Sequence, residues 1–253
     1  MNSAAKNRSV MTRSLVIGVA ALAAVTTIGA AYLLRGPDLA YVPEMADKPY
    51  RFEDGHEIFV QKYEVTIAEW NRCFTDGACH EKIIPQPGLV SETTPATGLS
   101  YLDVEEYLAW VNTKSRHAFR LPTLAEWEAI AHEVLPEEVD PIFTDPELRW
   151  ASAYLVEGRA SRALREQGAW KTSSLGIADL DGSVWEWTQD CFSGDVVADE
   201  SCPAYFVGGE HVAAMSFIVR DPAFGGCAVG TPPAHLGMRL ISDSPIRALP
   251  PSS

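Results

Sequence analysis

The sequence lacks an excess of basic residues. Lys and Arg together number 20, against 34 Asp and Glu, and the formal net charge is −14. Proteins that bind nucleic acids neutralise phosphates with clustered Lys and Arg, so a nucleic-acid partner is not expected. An acidic surface is the simpler meaning of this balance. At 253 residues the chain is long enough for one large or two small domains.

Cysteine is also scarce, and no two cysteines have Cys-x-x-Cys spacing, which disfavours a redox-active dithiol. The five cysteines fall into two close pairs and a remainder. The pairs predict two local disulfides, Cys73–Cys79 and Cys191–Cys202, and leave Cys227 alone. Disulfides are typical of proteins outside the cytoplasm.

One long uncharged run lies near the N-terminus. Residues 14–34 carry no charge, are long enough to cross a bilayer as a helix, and follow the basic residues Lys6, Arg8 and Arg13. We therefore expect a signal anchor in the inner membrane, with the rest of the chain in the periplasm. A signal peptide cleaved near residues 29–31, which would release the chain into the periplasm, is the alternative.

The exported part contains clear helix starts and much irregular sequence. Thr66 and Thr123 are each followed three residues later by glutamate, the capping-box pattern that opens a helix, and Ser100 can cap another. Beyond residue 134 the chain reads mostly as loops. The predicted organisation is a cytoplasmic basic segment 1–13, an anchor 14–34, a linker 35–49, a domain 50–242 and a tail 243–253.

The sequence Trp-Glu-Trp at 185–187 directly follows an Asp-Gly-Ser turn. In a regular strand the two tryptophans share one face and Glu186 lies on the other. Backbone oxygens of Asp181, Gly182 and Val184, with the Glu186 carboxylate, would form an oxygen-only set that suits calcium. From spacing alone, an ordinary structural turn is the favoured alternative.

Four stretches, taken in order, resemble the family of the formylglycine-generating enzyme, also called the sulfatase-modifying factor family. They are residues 63–70 (YEVTIAEW), 120–128 (RLPTLAEWE), 176–187 (GIADLDGSVWEW), and Gly208-Gly209 followed by 236–239 (LGMR). The resemblance implies a single α+β domain with the C-type-lectin-like formylglycine-generating-enzyme fold, low in regular structure, behind the N-terminal anchor helix. It also implies that the turn before 185–187 holds calcium through Asp181, Gly182, Val184 and Glu186.

The residues that carry the family's reaction are missing. Members that make formylglycine oxidise a substrate cysteine with copper(I), held by two cysteines spaced five apart, and soft thiolates suit that ion. The corresponding positions here are Ala213 and Ile218. The resemblance therefore predicts the fold without the formylglycine-generating activity.

Other side chains in this segment are candidates for a site. Those that could line a cleft are Glu210, His211 and Arg220. Four residues could supply the sulfur and imidazole ligands that copper accepts: His211, Met215, Cys227 and His235. In the alternative interpretation the methionine is a core residue, the cysteine a small buried hydrophobe, and the histidines lie on the surface.

Two functions follow as hypotheses. In the first, the chain is an accessory or maturation factor for an exported partner protein, anchored to the inner membrane. In the second, it is a periplasmic oxidoreductase of the formylglycine-generating or nonheme-metal kind, acting on a protein or a small molecule. A lectin-like fold carries its function in loops, so the fold alone does not decide between them.

Overall fold

The computed structural model describes residues 36–135, 163–192, 202–221, 226–227 and 235–246. These residues combine three helices with two small sheets, as expected for an α+β domain. The helices are α1 (Ile67–Thr75), α2 (Tyr101–Ser115) and α3 (Leu124–Ala131), after a short 3-10 turn at Leu39–Tyr41. The strands are β1 (Tyr50–Arg51), β2 (Glu57–Val60), β3 (Val184–Cys191), β4 (Ala204–Gly208), β5 (Ala213–Ser216), β6 (Gly226–Cys227), β7 (His235–Gly237) and β8 (Ile241–Ser242).

Each helix begins with a capping box, which confirms the three predicted starts. The side chain of the cap accepts from the backbone N–H three residues later, and the acid at that position bonds back to the cap. The pairs are Thr66 with Glu69, Ser100 with Asp103, and Thr123 with Glu126. The third helix ends at Ala131, and Val134 lies buried in the following turn.

The larger sheet has five strands in the order β6-β5-β4-β3-β7, and the smaller has the order β1-β2-β8. Strand β3 is antiparallel to β4 and parallel to β7, and it carries the Trp-Glu-Trp sequence in the interior of the sheet. Residues 184–188 are all buried, because α3 packs against the strand and the larger hydrophobic cluster encloses its two tryptophans.

The two faces of β3 contact different parts of the core. Trp185 and Trp187 belong to the larger hydrophobic cluster, which includes apolar residues of α1 and α2. Glu186 lies on the other face, where its carboxylate accepts a hydrogen bond from Trp127 of α3. The alternation predicted for residues 185–187 is therefore confirmed.

Both predicted disulfides are present. Cys73–Cys79 closes the corner after α1, and Cys191–Cys202 joins the end of β3 to the residues just before β4. Each bridge spans a short loop, of 6 and 11 residues in sequence separation.

The described part of the predicted linker, residues 36–49, is packed onto the domain. The backbone N–H of Asp38 donates to the carbonyl of Ser115 at the end of α2, and the Tyr41 ring lies edge-on against Trp110. Met45 bridges to Gln61 next to β2. This segment is therefore part of the fold and does not act as a free spacer.

The predicted tail also contributes a contact. Asp243 accepts hydrogen bonds from Arg120, and these lower the pKa of the Asp243 carboxyl. No helix among the described residues is long and apolar enough to cross a membrane. The predicted basic segment 1–13 and anchor 14–34 lie outside the described residues.

Candidate functional site

The two glycines after β4 allow two tryptophans to approach the backbone. A Cβ on Gly208 would lie 2.2 Å from the ring of Trp127, and one on Gly209 would lie 2.4 Å from the ring of Trp185. Any side chain here would overlap a buried indole. The glycine pair thus seats one tryptophan on each face of the sheet, just before β5.

The two positions that correspond by resemblance to the family's copper-binding cysteines carry no thiol. Ala213 begins β5, pairs with Val207 and is buried. Ile218 follows the strand in a turn, and 62% of it is exposed. A methyl group and a butyl side chain offer no ligand atom, so these positions cannot hold copper.

His211 packs against the core through a contact with Trp185. Its ring meets Trp185 edge-on with the centroids 4.4 Å apart, and its Nε2 is buried with no hydrogen-bond partner among the described residues. Burial lowers the pKa of His211, and the neighbouring Glu210 partly opposes this. A neutral imidazole with one unsatisfied nitrogen is the result.

Arg220 does line a cleft. The cleft has a volume of about 270 Å³ and lies between the loop after α1, the start of α2 and the turn after β5. Its walls are Trp70, Glu81, Lys82, Ile83, Ile84, Thr97, Gly98, Leu99, Asp103 and Arg220. Of the three cleft residues predicted from sequence, only Arg220 is among them.

The structure does not bring the predicted copper set together. Cys227 and His235 lie on β6 and β7, the two edge strands of the five-stranded sheet. Four strand spacings of about 4.8 Å place them roughly 19 Å apart, whereas one ion needs all its ligands within a few ångströms. Met215 is fully buried in the larger core cluster, which agrees with the alternative interpretation for that residue.

A fully buried ion pair joins the Trp-Glu-Trp strand to the end of the domain. Arg239 donates from Nε and Nη2 to Glu186, with a shortest distance of 2.8 Å. Its remaining N–H groups reach the backbone carbonyls of Gln61, Lys62 and Ala178. One guanidinium thus ties three segments of the chain to β3.

The surroundings of this pair are rich in acid. Glu64 is 1% exposed, lies 3.7 Å from Arg239 through Oε2, and this oxygen has no hydrogen-bond partner among the described residues. The pKa of Glu64 is raised to about 8, chiefly by burial and also by the neighbouring Glu186 and Asp179, although Arg239 opposes the rise. Glu64 is therefore protonated at neutral pH, which reduces the charge that the interior must hold.

The contacts of Glu186 bear on the calcium site predicted for the turn before it. Both oxygens of Glu186 already accept from the guanidinium and the indole described above, so the side chain has little capacity left for a cation. The Asp181 side chain accepts from the backbone N–H of Lys171. The Glu186 side chain thus fits a calcium ligand poorly, and calcium on the backbone oxygens of Asp181, Gly182 and Val184 stays a prediction.

Sequence reasoning missed the most connected residues of this region. Glu64 and Arg239 stand inside motifs 63–70 and 236–239, but the motifs assign them no partner. His80, Glu81 and Asp103 line or border the cleft and carry no local pattern beyond the helix cap. The sequence did hold one signal for Glu64 and Arg239. A charged residue between apolar neighbours is buried with them, and a buried charge requires a partner.

These features together define a domain of the formylglycine-generating-enzyme type: glycines seating two tryptophans, a Trp-Glu-Trp strand, and an arginine that binds its glutamate. The chain belongs to this family. A family model described as the sulfatase-modifying factor enzyme 1-like domain matches residues 24–244. None of the curated proteins matches the chain.

Solved structures with a similar fold have very different sequences. CarF has a TM-score of 0.51 at 14% identity, with 80% of this chain and 98% of that chain covered. PvdO from Pseudomonas aeruginosa has a TM-score of 0.47 at 14% identity, covering 78% of this chain and 98% of that one. Variable protein 1 of Treponema denticola has 0.48 at 16%, covering 79% and 91%. At these identities the likeness to CarF concerns the fold alone.

Proposed function

We propose that the chain is an accessory or maturation factor for an exported partner protein and does not generate formylglycine. In this proposal residues 14–34 anchor it to the inner membrane and the domain acts in the periplasm. The observation that carries the proposal is the chemistry at two positions. A buried Ala213 and an exposed Ile218 stand where the family's copper thiolates would be.

The cleft beside Arg220 offers a place for a segment of the partner. One wall is the buried indole of Trp70, whose N–H is already satisfied by the carbonyl of Glu81. Ile84 in the same cleft is 79% exposed, and four charged side chains also line it. Apolar walls with a few polar groups are the usual composition of a site that binds a small ligand.

The absence of activity has a direct test. The full-length chain, purified in mild detergent and supplied with copper(I), is mixed with a cysteine-containing peptide, and oxygen consumption is followed together with peptide mass. We expect neither oxygen uptake nor aldehyde formation. Turnover by the unmodified chain would refute the proposal.

A matched variant tests whether the two positions are correctly assigned. The double substitution Ala213→Cys and Ile218→Cys restores two thiols five residues apart, and Ala213→Ser with Ile218→Ser is the control. We expect copper(I) binding, measured by competition with a chromogenic chelator, to be gained in the cysteine variant and not in the serine variant. Equal binding by both would show that these residues do not correspond to the family's copper site.

The oxidoreductase alternative rests on one observation, the buried Nε2 of His211 that has no hydrogen-bond partner among the described residues. Unsatisfied buried groups are uncommon and are often kept for a ligand or a reaction. If the chain is an enzyme that uses this residue, His211→Phe should abolish turnover and leave the melting temperature close to that of the parent. If the parent shows no turnover and His211→Phe lowers the melting temperature, the residue has a packing role instead.

Calcium and location are proposals with their own measurements. Elemental analysis of the purified chain should find about one calcium per chain, removable by chelation, if the backbone oxygens of Asp181, Gly182 and Val184 bind it.

Protease added outside spheroplasts should degrade the domain while the chain stays in the membrane fraction. Chain recovered only in the periplasmic fluid would support signal cleavage instead.

A further inference from the structure

A second group of ligand-type side chains lies at the edge of the cleft. His80, Asp103 and Glu106 each present one ligand atom within 4.8 Å of the other two, and among the described residues this is the group so arranged. Asp103 is buried, and the other two are partly exposed. None of the three belongs to the family motifs or to the turn predicted for calcium.

The local structure fixes these atoms in place. Oδ2 of Asp103 is held by the backbone N–H and hydroxyl of Ser100, at 2.7 and 2.6 Å, as part of the helix cap. This leaves Oδ1 directed toward His80. Glu106 is three residues further along α2, so it shares a helix face with Asp103. His80 follows Cys79 directly, so the Cys73–Cys79 disulfide restrains the loop that carries it.

The hydrogen bonds settle which nitrogen of His80 faces the cluster. Glu106 Oε2 lies 2.8 Å from Nδ1, and an ionised carboxylate can only accept, so Nδ1 carries the proton. Nε2 contacts Nη2 of Arg220, which can only donate, so Nε2 carries the lone pair and lies 3.4 Å from Oδ1 of Asp103. Two acceptors this close need a hydrogen-bond donor or a cation beside them, and a metal ion could take the place of the donor.

The separation agrees with metal geometry. Two ligands bound tetrahedrally to zinc at about 2.1 Å lie about 3.4 Å from each other. The Nε2 to Oδ1 distance of 3.4 Å already meets that requirement. Glu106 would supply the third protein ligand by exchanging its hydrogen bond with Nδ1 of His80 for the metal, and water would complete the coordination.

At present an arginine supplies the positive charge. Nη2 of Arg220 contacts Nε2 of His80 and lies 2.8 Å from Oδ1 of Asp103, while Nη1 pairs with Glu81. Asp103 and Glu81 thus share the guanidinium of Arg220, while Glu106 contacts His80.

We propose that His80, Asp103 and Glu106 form a binding site for a divalent transition metal of the zinc type. The metal and the Nη2 group of Arg220 compete for the same two atoms. Metal binding therefore releases Arg220 from His80 and Asp103 and turns it toward the cleft that it lines, keeping its pair with Glu81. The site does not depend on the function proposed above.

Competition between the metal and Arg220 predicts whether each substitution raises or lowers the affinity for zinc. Zinc chloride is titrated into the chelator-treated full-length chain in mild detergent, and the dissociation constant is measured by competition with a zinc-sensitive dye. We expect one site per chain. His80→Asn and Glu106→Gln should each weaken binding by at least tenfold, and Glu105→Gln, one residue away on the exposed face of α2, should leave it unchanged.

Arg220→Gln should strengthen binding severalfold, because it removes the competitor and leaves the ligands intact. Cobalt(II) in place of zinc provides a second readout, since visible absorption of the parent should be lost in His80→Asn. Equal affinity in the parent and His80→Asn, weaker binding in Arg220→Gln, or no binding by the parent would each overturn the proposal. A near-ultraviolet circular dichroism spectrum unchanged from the parent shows that a variant has kept its fold.

Discussion

The protonation of Glu64 should make the stability of this domain depend on pH in a particular way. The side chain is fully buried, and its pKa is raised from 4.5 to about 8, chiefly by burial. The unfolded chain loses this proton near pH 4.5, whereas the folded chain keeps it to about pH 8. Stability from this group is thus fully present below pH 4.5 and is lost progressively as the pH rises to about 8.

The size of the effect follows from the two pKa values. They differ by about 3.5, and one pKa unit is worth about 1.4 kcal/mol, so the free energy of unfolding should fall by at most about 5 kcal/mol across this range. Water that reaches the ionised side chain sets the lower end of the range, at about 2 kcal/mol. Substitution Glu64→Gln keeps the shape but cannot ionise, and so it removes this dependence.

The assay is urea unfolding followed by tryptophan fluorescence at pH 4.5, 6.5 and 8.5, with disulfides intact. The measured quantity is the free energy of Glu64→Gln minus that of the parent, which should become more favourable by about 2 to 5 kcal/mol between the lowest and highest pH. Comparing across pH cancels any packing cost of the amide. Glu53→Gln, at an exposed position, is the control and should show no such trend. A difference that does not change with pH would show that Glu64 is ionised in the folded protein.

Three further changes test the packing around the site. Arg239→Met should lower the free energy of unfolding by about 3 to 5 kcal/mol in urea unfolding at pH 7, because it leaves the buried Glu186 carboxylate without its cation; an unchanged midpoint would contradict the buried pair. Gly208→Ala should cost about 1 to 3 kcal/mol and lower the melting temperature, since its Cβ would overlap Trp127, and an unaltered melting temperature would show that the indole can move. Replacing Cys73 and Cys79 together by alanine should lower the free energy of unfolding by roughly 2 kcal/mol, the entropy that closing a loop this short removes from the unfolded chain. When the disulfides of the parent are reduced, the difference in free energy between parent and variant should become smaller.

Much of the local structure could be predicted because its causes are local. A capping box needs only the cap and the residue three positions later, so all three helix starts follow from the sequence. The disulfides join cysteines that are close in the chain, where no other pairing competes. The alternation of Trp185, Glu186 and Trp187 needs only that the segment be a strand.

The candidate sites could be predicted only in part, because their members are far apart in the chain. Arg220 was identified as a cleft residue, but His80 and Asp103, which hold it, come from 140 and 117 positions away. The proposed copper set failed for the opposite reason. His211, Met215, Cys227 and His235 are near one another in sequence, but the strand order places the last two on opposite edges of the sheet.

The sequence by itself determined the family, the helix starts, the two disulfides and the loss of the copper thiols, because each depends on residue identity at fixed spacing. The tertiary structure decided what the charged residues do. It placed Arg239 on Glu186, left an oxygen of Glu64 without a partner among the described residues, and gathered His80, Asp103 and Arg220 at the cleft. A buried charge is stable only beside a partner or in its neutral form, and only the folded chain determines which partner is within reach.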